Sequence, residues 1–273
     1  MGQKNSAFIR QLWMRIQGND VPGLAAQLAY FFLLSLFPLL IFFVTLLPYL
    51  PITEDDLLRF VEDFAPPQTM ALIESNINQI MSKNGKLLSF GIIAAFWSAS
   101  NGLDAIVKAF NNAYEVKESR PFVVARGMAI LLTVGMIIVI IVALLLPVFG
   151  RQIGLFLFSE FGLSSEFLVT WNAIRWFISS IILFVIFTVL YWIAPNKKLT
   201  CISAVPGALF ATVGWVLTSL AFSYYVSNFG NYSSTYGSIG AVIVLMIWFY
   251  LTGFIIIIGG EINAIFSRKK EGC

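Results

Sequence analysis

The sequence predicts an all-α integral membrane protein with six transmembrane helices, both termini on the cytoplasmic side (N-in/C-in), and interfacial amphipathic helices. Composition is the first observation behind this. Of 273 residues, 59% are hydrophobic and 11% charged, against about 25% charged in a soluble domain, and the mean hydropathy is +0.85. The second is a recurrence of apolar runs long enough to cross a hydrocarbon layer, which takes about 20 helical residues. The third is the distribution of Lys and Arg. The amino-terminal segment, residues 108–126, residues 197–198 and the carboxy-terminal tail hold Lys4, Arg10, Arg15, Lys108, Lys117, Arg120, Arg126, Lys197, Lys198, Arg268, Lys269 and Lys270. The alternate segments hold only Arg59, Lys83, Lys86, Arg151 and Arg175. Cytoplasmic segments carry the excess of positive charge.

The whole chain reads as one six-helix domain. Residues 5–18 place Phe8, Ile9, Leu12, Trp13 and Ile16 on one face, with Arg10, Gln11, Arg15 and Gln17 elsewhere. This segment is too short and polar to span and fits a cytoplasmic interfacial helix. It lacks a signal-peptide cleavage pattern. Asp20 can cap a helix that carries Pro22 in its first turn. Span 1 covers about residues 24–48, with Gln27, Tyr30, Leu34 and Pro38 on one modestly polar side and a kink expected at Pro38.

Residues 51–86 form an extracytoplasmic two-helix excursion. Thr53 and the acids Glu54, Asp55 and Asp56 mark a helix start, and Pro66-Pro67 breaks that helix before a second amphipathic stretch from Met70 to Met81. Span 2 begins near Leu87. Span 3, about 124–147, has little polarity. Residues 150–170 read as a loop, and span 4, about 172–194, has Arg175 snorkelling at its start and the interfacial anchors Tyr191-Trp192 at its end. Span 5, about 202–225, carries the small residues Gly207, Ala211, Gly214, Thr218 and Ala221 at helical spacing, which let another backbone come close. A polar, glycine-rich loop over 227–237 leads to span 6, about 239–262, which ends on Gly259-Gly260-Glu261. Two Val-Pro-Gly tripeptides open outward-running spans, but they would pair spans 1 and 5 and so do not support a duplicated three-helix unit.

Span 2 is the most informative stretch. Trp97, Asn101, Asp104, Lys108, Asn111 and Glu115 follow at steps of four, three, four, three and four and share one helical face. Leu103, Ala105, Ile106, Val107, Ala109 and Phe110 occupy the other, suited to lipid or a neighbouring helix. Asp104 precedes Lys108 by one turn, the favourable order for an ion pair. A charged group at mid-span costs about 2.5–3.5 kcal/mol on insertion scales, so such groups usually face a bundle interior or a water-filled cavity. Asp104 lies about 17 residues, or ~25 Å, from the external end of span 2. Glu261 lies about 22 residues along span 6, so both acids fall in the cytoplasmic half. Gln27, Tyr30, Asn101, Asp104, Lys108, Asn111 and Glu261 are the candidates for a substrate or ion pathway. The plainer alternative is a structural Asp104–Lys108 pair and a satisfied helix-end acid at Glu261.

The chain has no histidine, which removes imidazole bases, His-ligated zinc and Ser-His or Cys-His nucleophile pairs. Cys201 and Cys273 form no CxxC or CaaX pattern and read as free thiols. No phosphate-binding GxxxxGK[ST] or zinc motif is present, and Trp97, Trp215 and Trp248 fit packing roles. No cofactor is implied.

Several stretches together resemble the YihY/BrkB family of bacterial inner-membrane proteins. They are Ala25-Ala26 to Tyr30 with Ser35-Leu36-Phe37-Pro38, the Phe96-Trp97-Ser98-Ala99-Ser100 segment leading to Asn111 and Tyr114, Pro206-Gly207-Ala208, Tyr236-Gly237-Ser238, and Gly259-Gly260-Glu261-Ile262-Asn263-Ala264. The resemblance implies a six-helix protein of the cytoplasmic membrane and, from proposals for relatives, movement of lipids or lipid-linked molecules. The family has also carried the label ribonuclease BN. Against that label stand the missing histidine, the absence of an obvious metal-binding carboxylate cluster and the absence of a concentrated basic groove for nucleic acid. The residues lead to the expectation of a non-enzymatic transport or translocation protein without its own ATPase, with a polar cavity lined by spans 1, 2, 5 and 6, and the resemblance implies a lipid or other amphiphile as its cargo. In that reading Asp104 and Glu261 are proton-responsive acids, Lys108 attracts an anionic head group or neutralises Asp104, and Asn101 and Asn111 bond cargo or water. The alternative is a non-transporting scaffold or envelope assembly factor that recruits a protein partner through residues 51–86. Membrane lipids are expected partners in either case and nucleic acid in neither; oligomeric state is open.

Overall fold

The computed structural model describes residues 2–49, 53–55, 58, 70, 74, 76–77, 81–121, 123–130, 132, 165–229 and 238–271. The described residues are helical, with no strand among them: α1 (Gly2–Gly18), α2 (Val21–Leu46) with a 3-10 turn over Leu47–Tyr49, α3 (Gly85–Tyr114), α4 (Ser165–Ile193), α5 (Cys201–Phe229) and α6 (Ser238–Glu271). Residues 123–130 form a further helical segment. Four of these helices have segments long and apolar enough to cross a membrane: Val21–Tyr49, Gly85–Tyr114, Cys201–Val226 and Val242–Ser267. Phe177–Ile193 is a shorter apolar helix. Most of 51–80, span 3 beyond residue 132, the loop over 150–164, residues 230–237, the Arg175 side chain and Cys273 lie outside the described residues.

Local chemistry explains the helix ends. Asp20 sits at φ 49°; its Oδ1 accepts from Gly23 N at 3.3 Å and its carbonyl from Leu24 N at 3.0 Å, so it caps α2 as expected. A Cβ at Gly23 would stand 2.2 Å from an Asp20 carboxylate oxygen, so a side chain there would push the capping carboxylate aside. α2 runs through Pro38 to Leu46, with Ser35 and Thr45 donating to carbonyls one turn back, a way for hydroxyls to be satisfied in hydrocarbon. Asn84 caps α3 by accepting from Leu87 N at 3.0 Å. The other end of α3 closes with Val116 N on Asn111 O and Glu115 N on Asn112 O. This is a Schellman termination, with Glu115 at φ 56° where glycine is usual.

Three boundaries differ from expectation. α4 begins at Ser165, so Glu166 is helical rather than part of a loop; Ser227, Asn228 and Phe229 extend α5; and α6 continues past residue 262 to Glu271. In each case the helix outruns its apolar stretch, because backbone pairing continues through polar residues that carry no breaker.

The chain divides into two compact units, Met1–Tyr30 with Ser100–Cys273, and Phe31–Ala99. In the smaller, Gly91 lets α3 meet the backbone of α2: a Cβ there would lie 3.0 Å from Phe42 N. Lys83 Nζ lies 5.8 Å from the centre of the Tyr49 ring. In the larger, α5 packs along both α4 and α6, and α1 touches α6. The small-residue stripe of α5 makes this approach at its first members: a Cβ on Gly207 would meet Gly259 O at 2.1 Å, and one on Gly214 would meet Ile255 at 3.2 Å. Ala211 is buried, whereas Thr218 is half-buried and Ala221 exposed, so the close seam ends within two turns. Trp215 and Trp248 stack edge to face at 6.0 Å across α5 and α6. Tyr191 is not an interfacial anchor. It is 1% exposed and donates to Ile256 O at 2.7 Å, because Gly259 leaves room for its ring, while Trp192 keeps the surface position and donates to Leu199 O.

Candidate functional site

Glu261 marks the point where helices converge on α6. A Cβ on Gly259 would lie 2.2 Å from Tyr191 Oη of α4 and 2.9 Å from Gly207 O of α5, and one on Gly260 would lie 2.6 Å from the Phe110 ring of α3. Two glycines thus bring three helices within one turn of Glu261, which is completely buried. A buried carboxylate needs a counter-charge and full hydrogen bonding. Both come from the amino-terminal helix and the link after it: Arg15 Nε donates to Oε2 at 2.7 Å, and Asn19 Nδ2 to Oε1 at 2.6 Å. Arg15 also donates to Ala113 O at the end of α3, taking one of the carbonyls that a helix end leaves unpaired, and lies 3.9 Å from Glu115.

Sequence reasoning missed this contact. It set Arg15 away from the packing face of α1, yet the Arg15 side chain is only 11% exposed. The inward side of α1 carries Phe8, Leu12 and Arg15, and Asn19 of the link follows at the same spacing of four, three and four, while Ile9, Trp13 and Met14 are exposed. Phe8 meets Phe266 of α6 at a ring separation of 5.8 Å. The spacing was visible; the partner, 246 residues away, was not.

On α3, the apolar face formed by Leu103, Ala105, Ile106, Val107, Ala109 and Phe110 is wholly buried and packs within the protein. Asp104 does not pair with Lys108. Arg126, from the 123–130 segment, donates through one nitrogen to Asp104 Oδ2 at 2.8 Å and to Asn101 Oδ1 at 3.0 Å. A single guanidinium nitrogen thus bridges two acceptors one turn apart on the same face of α3, and Lys108 is exposed. The pair is part-open: the Asp104 side chain is 34% exposed and that of Arg126 13%.

Asn111 is buried and uses both ends of its amide. Its Nδ2 donates to Glu118 Oε2 at 2.8 Å, and its Oδ1 accepts from Asn196 N at 2.7 Å. Asn196 in turn donates to Lys117 O and Ser119 Oγ, so one residue of α3 ties together the segments after α3 and after α4. Arg120 grips Glu118 through two nitrogens, at 2.7 and 2.8 Å, and reaches Ala194 O. The Arg120 hydrogen bond, with further bonds from the Arg120 backbone and Asn111, holds the Glu118 pKa down at about 2 against the opposing effect of burial.

Gln27 and Tyr30 lie on the exposed side of α2, whereas Val21, Ala25, Leu28 and Ala29 are buried; Gly253 of α6 comes against Ala25 and Leu28. The structure therefore gathers Asn101 and Asp104 around Arg126, sets Glu261 against Arg15 and Asn19, gives Asn111 to the connecting segments, and leaves Gln27, Tyr30 and Lys108 facing outward. Asn263 is a further residue that periodicity did not single out. Its Oδ1 accepts from Gly207 N at 2.6 Å and its Nδ2 donates to Ala204 O at 3.0 Å, stitching α6 to α5 on both sides of Pro206, where the ring removes a helix donor. Among the described residues, no three Cys, Asp or Glu side chains gather as a metal site, and Cys201 is a free, exposed thiol.

A family described as Virulence factor BrkB matches residues 12–272, a range that contains Arg15, Asn19, Asp104, Arg126 and Glu261. The chain belongs to the BrkB family. A Bacillus subtilis (strain 168) protein named ribonuclease-like protein YfkH is 54% identical over 266 residues, covering 97% of each chain. A UPF0761 membrane protein of Vibrio campbellii (strain ATCC BAA-1116) is 28% identical over 269 residues, covering 97% of this chain and 83% of its own. One from Histophilus somni (strain 129Pt) is 25% identical over 277 residues, covering 97% and 91%. No solved structure matches the chain. Membrane-protein relatives and several apolar helices make this BrkB-family chain a multi-pass membrane protein.

Proposed function

We propose that this BrkB-family protein sits in the bacterial cytoplasmic membrane as a six-span bundle with both termini inside, and moves a lipid or other amphiphile between leaflets without hydrolysing nucleotide. The observation that carries the reading is the Asp104–Arg126–Asn101 cluster, a part-open ionic group on α3, a helix otherwise fit for hydrocarbon. Ionisable residues within membrane helices are expensive and generally mark pathways. A charged head group needs such a route, with acceptors and a guanidinium that can exchange partners; Lys108, exposed one turn along, would draw an anionic head group towards it. Glu261 belongs to the same end of α3 through Arg15, which bonds Ala113 O and Glu261 together, and in this reading it anchors the closed end of the route. Asn111 organises the segments around that end, and Gln27 and Tyr30 face lipid on α2.

The name of the Bacillus subtilis relative describes that protein as ribonuclease-like. We read this chain as non-catalytic, because it has no histidine to serve as the usual general base of an RNA-cleaving site.

The test is the exchange of fluorescent phospholipid between leaflets of proteoliposomes, comparing empty vesicles with wild type, Asp104→Asn and Arg126→Gln. Exchange above the empty-vesicle rate that either substitution cuts by tenfold or more, in protein that stays folded, supports the route. Exchange equal in all three proteins refutes the assignment to this cluster, and wild type equal to empty vesicles across lipid classes refutes lipid translocation.

A further inference from the structure

The attachment of α1 is lopsided. Phe8, Leu12 and Ile16 are only half-buried, and Ile9, Trp13 and Met14 are more than half exposed. Alongside them the Arg15 side chain, although charged, is only 11% exposed. A helix fixed for good by packing buries an apolar stripe and keeps its charges outside; here the Phe8–Phe266 ring contact is joined by a polar grip of Arg15 and Asn19 on one carboxylate. That carboxylate lies beside the crossing point where Gly259 and Gly260 admit α4, α5 and α3. The link to α2 is short, Asn19 and Asp20, and Asp20 holds a left-handed backbone conformation that can absorb a change of direction between the two helices.

We propose that α1 is a detachable strap. Docked, Arg15 neutralises Glu261, Asn19 hydrogen-bonds it, and Arg15 clamps the end of α3 to α6, closing this end of the bundle. Withdrawn, α1 lies with Ile9, Trp13 and Met14 in the membrane interface, and the crossing at Gly259–Gly260 loosens so that water replaces Arg15 and Asn19 around the Glu261 carboxylate. Withdrawal is a conformational step, and Arg15 and Asn19 are positioning residues in it. The functional half, closure of a route, rests on the translocation reading; the structural half, two positions of α1, does not.

The test uses full-length protein with Cys201→Ser and Cys273→Ser, reconstituted in lipid bilayers, carrying nitroxide labels at Gln17→Cys and Lys198→Cys, both exposed positions. Pulsed electron–electron distances should show a main docked population and a minor longer one in wild type. Asn19→Ala, a mild change, and Arg15→Gln should each raise the ratio of longer to docked population by at least tenfold, while Arg15→Lys should fall between wild type and Arg15→Gln. One unchanging distance in wild type, Asn19→Ala and Arg15→Lys would overturn the strap, even if Arg15→Gln fails to fold. A second arm joins Phe8→Cys to Phe266→Cys with a short thiol cross-linker cleavable by reductant. Lipid exchange should fall at least tenfold on cross-linking and recover on cleavage. Exchange unaffected by the cross-link overturns closure by α1. Absence of exchange in uncross-linked wild type refutes the translocation reading and with it the functional half, whereas the two positions of α1 are still judged by the distances.

Discussion

Removing Arg15 should harm the protein more than neutralising Glu261, although the two residues form one ion pair. Arg15→Ala leaves a completely buried carboxylate with Asn19 as its remaining partner of the two, and stranding a buried charge costs about 3–5 kcal/mol. Glu261→Gln keeps the shape and an acceptor for a donor beside it. It leaves Arg15 with an 11% opening to solvent, its bond to Ala113 O and Glu115 at 3.9 Å, so its cost is the roughly 1–3 kcal/mol of an imperfectly satisfied buried group. The difference, about 2 kcal/mol, corresponds to roughly thirtyfold in an unfolding equilibrium. Arg15→Met with Glu261→Met should recover most of the loss, because apolar replacement of a buried pair is often close to neutral. Reversible unfolding in mixed micelles, followed by circular dichroism, reads all four proteins. Glu261→Gln costing as much as Arg15→Ala, or the double variant costing their sum, would refute the reasoning.

Other outcomes follow from single contacts. Gly207→Ala needs α5 and α6 to part by about 1 Å, since its Cβ would start 2.1 Å from Gly259 O, and should cost about 1–3 kcal/mol of overpacking. Gly127→Ala, with nothing within 4 Å, should be neutral or gain up to about 1 kcal/mol; the same unfolding assay compares them. Arg126→Ala should destabilise by about 1 kcal/mol, a charged hydrogen bond discounted for solvent screening, while Lys108→Ala should stay within about 0.5 kcal/mol. The Glu118 pKa is depressed to about 2 from an ordinary 4.5. The unfolded state therefore takes up its proton first as pH falls, and the stabilisation is present above pH 4.5 and lost through about pH 2. Amide exchange over residues 116–120 should show unchanged intrinsic-rate-corrected protection from pH 6 to pH 4.5 and a loss below it; loss already complete at pH 4.5 would contradict the assigned partners.

What was legible in the sequence was local. Apolar length placed the four helices long and apolar enough to cross a membrane among the described residues, Asp20 announced the cap of α2, and the small residues from Gly207 to Gly214 announced a close helix crossing, because each signal lies within a few turns of its effect. The partners of the charged groups were not legible. Asp104 had a plausible neighbour in Lys108, but the partner it takes is Arg126, 22 residues on, and nothing in the helical period of α3 points to a residue on another helix. Arg15 was harder still, because a basic side chain on an amphipathic helix ordinarily faces water, and only the buried Glu261 reverses that preference. Tyr191 shows the same limit: Tyr-Trp at a span end suits an interface, but the cavity left by Gly259 belongs to α6 and draws the ring inward.

The most direct measurement for the central claim is the fraction of vesicle lipid that becomes accessible to an impermeant quencher as the number of wild-type copies per vesicle rises from zero. Translocation by this protein predicts that outer-leaflet access climbs from about half of the label towards nearly all of it once each vesicle holds a functional unit. A plateau that stays at half at every protein density, for zwitterionic and anionic fluorescent lipids alike, would contradict it.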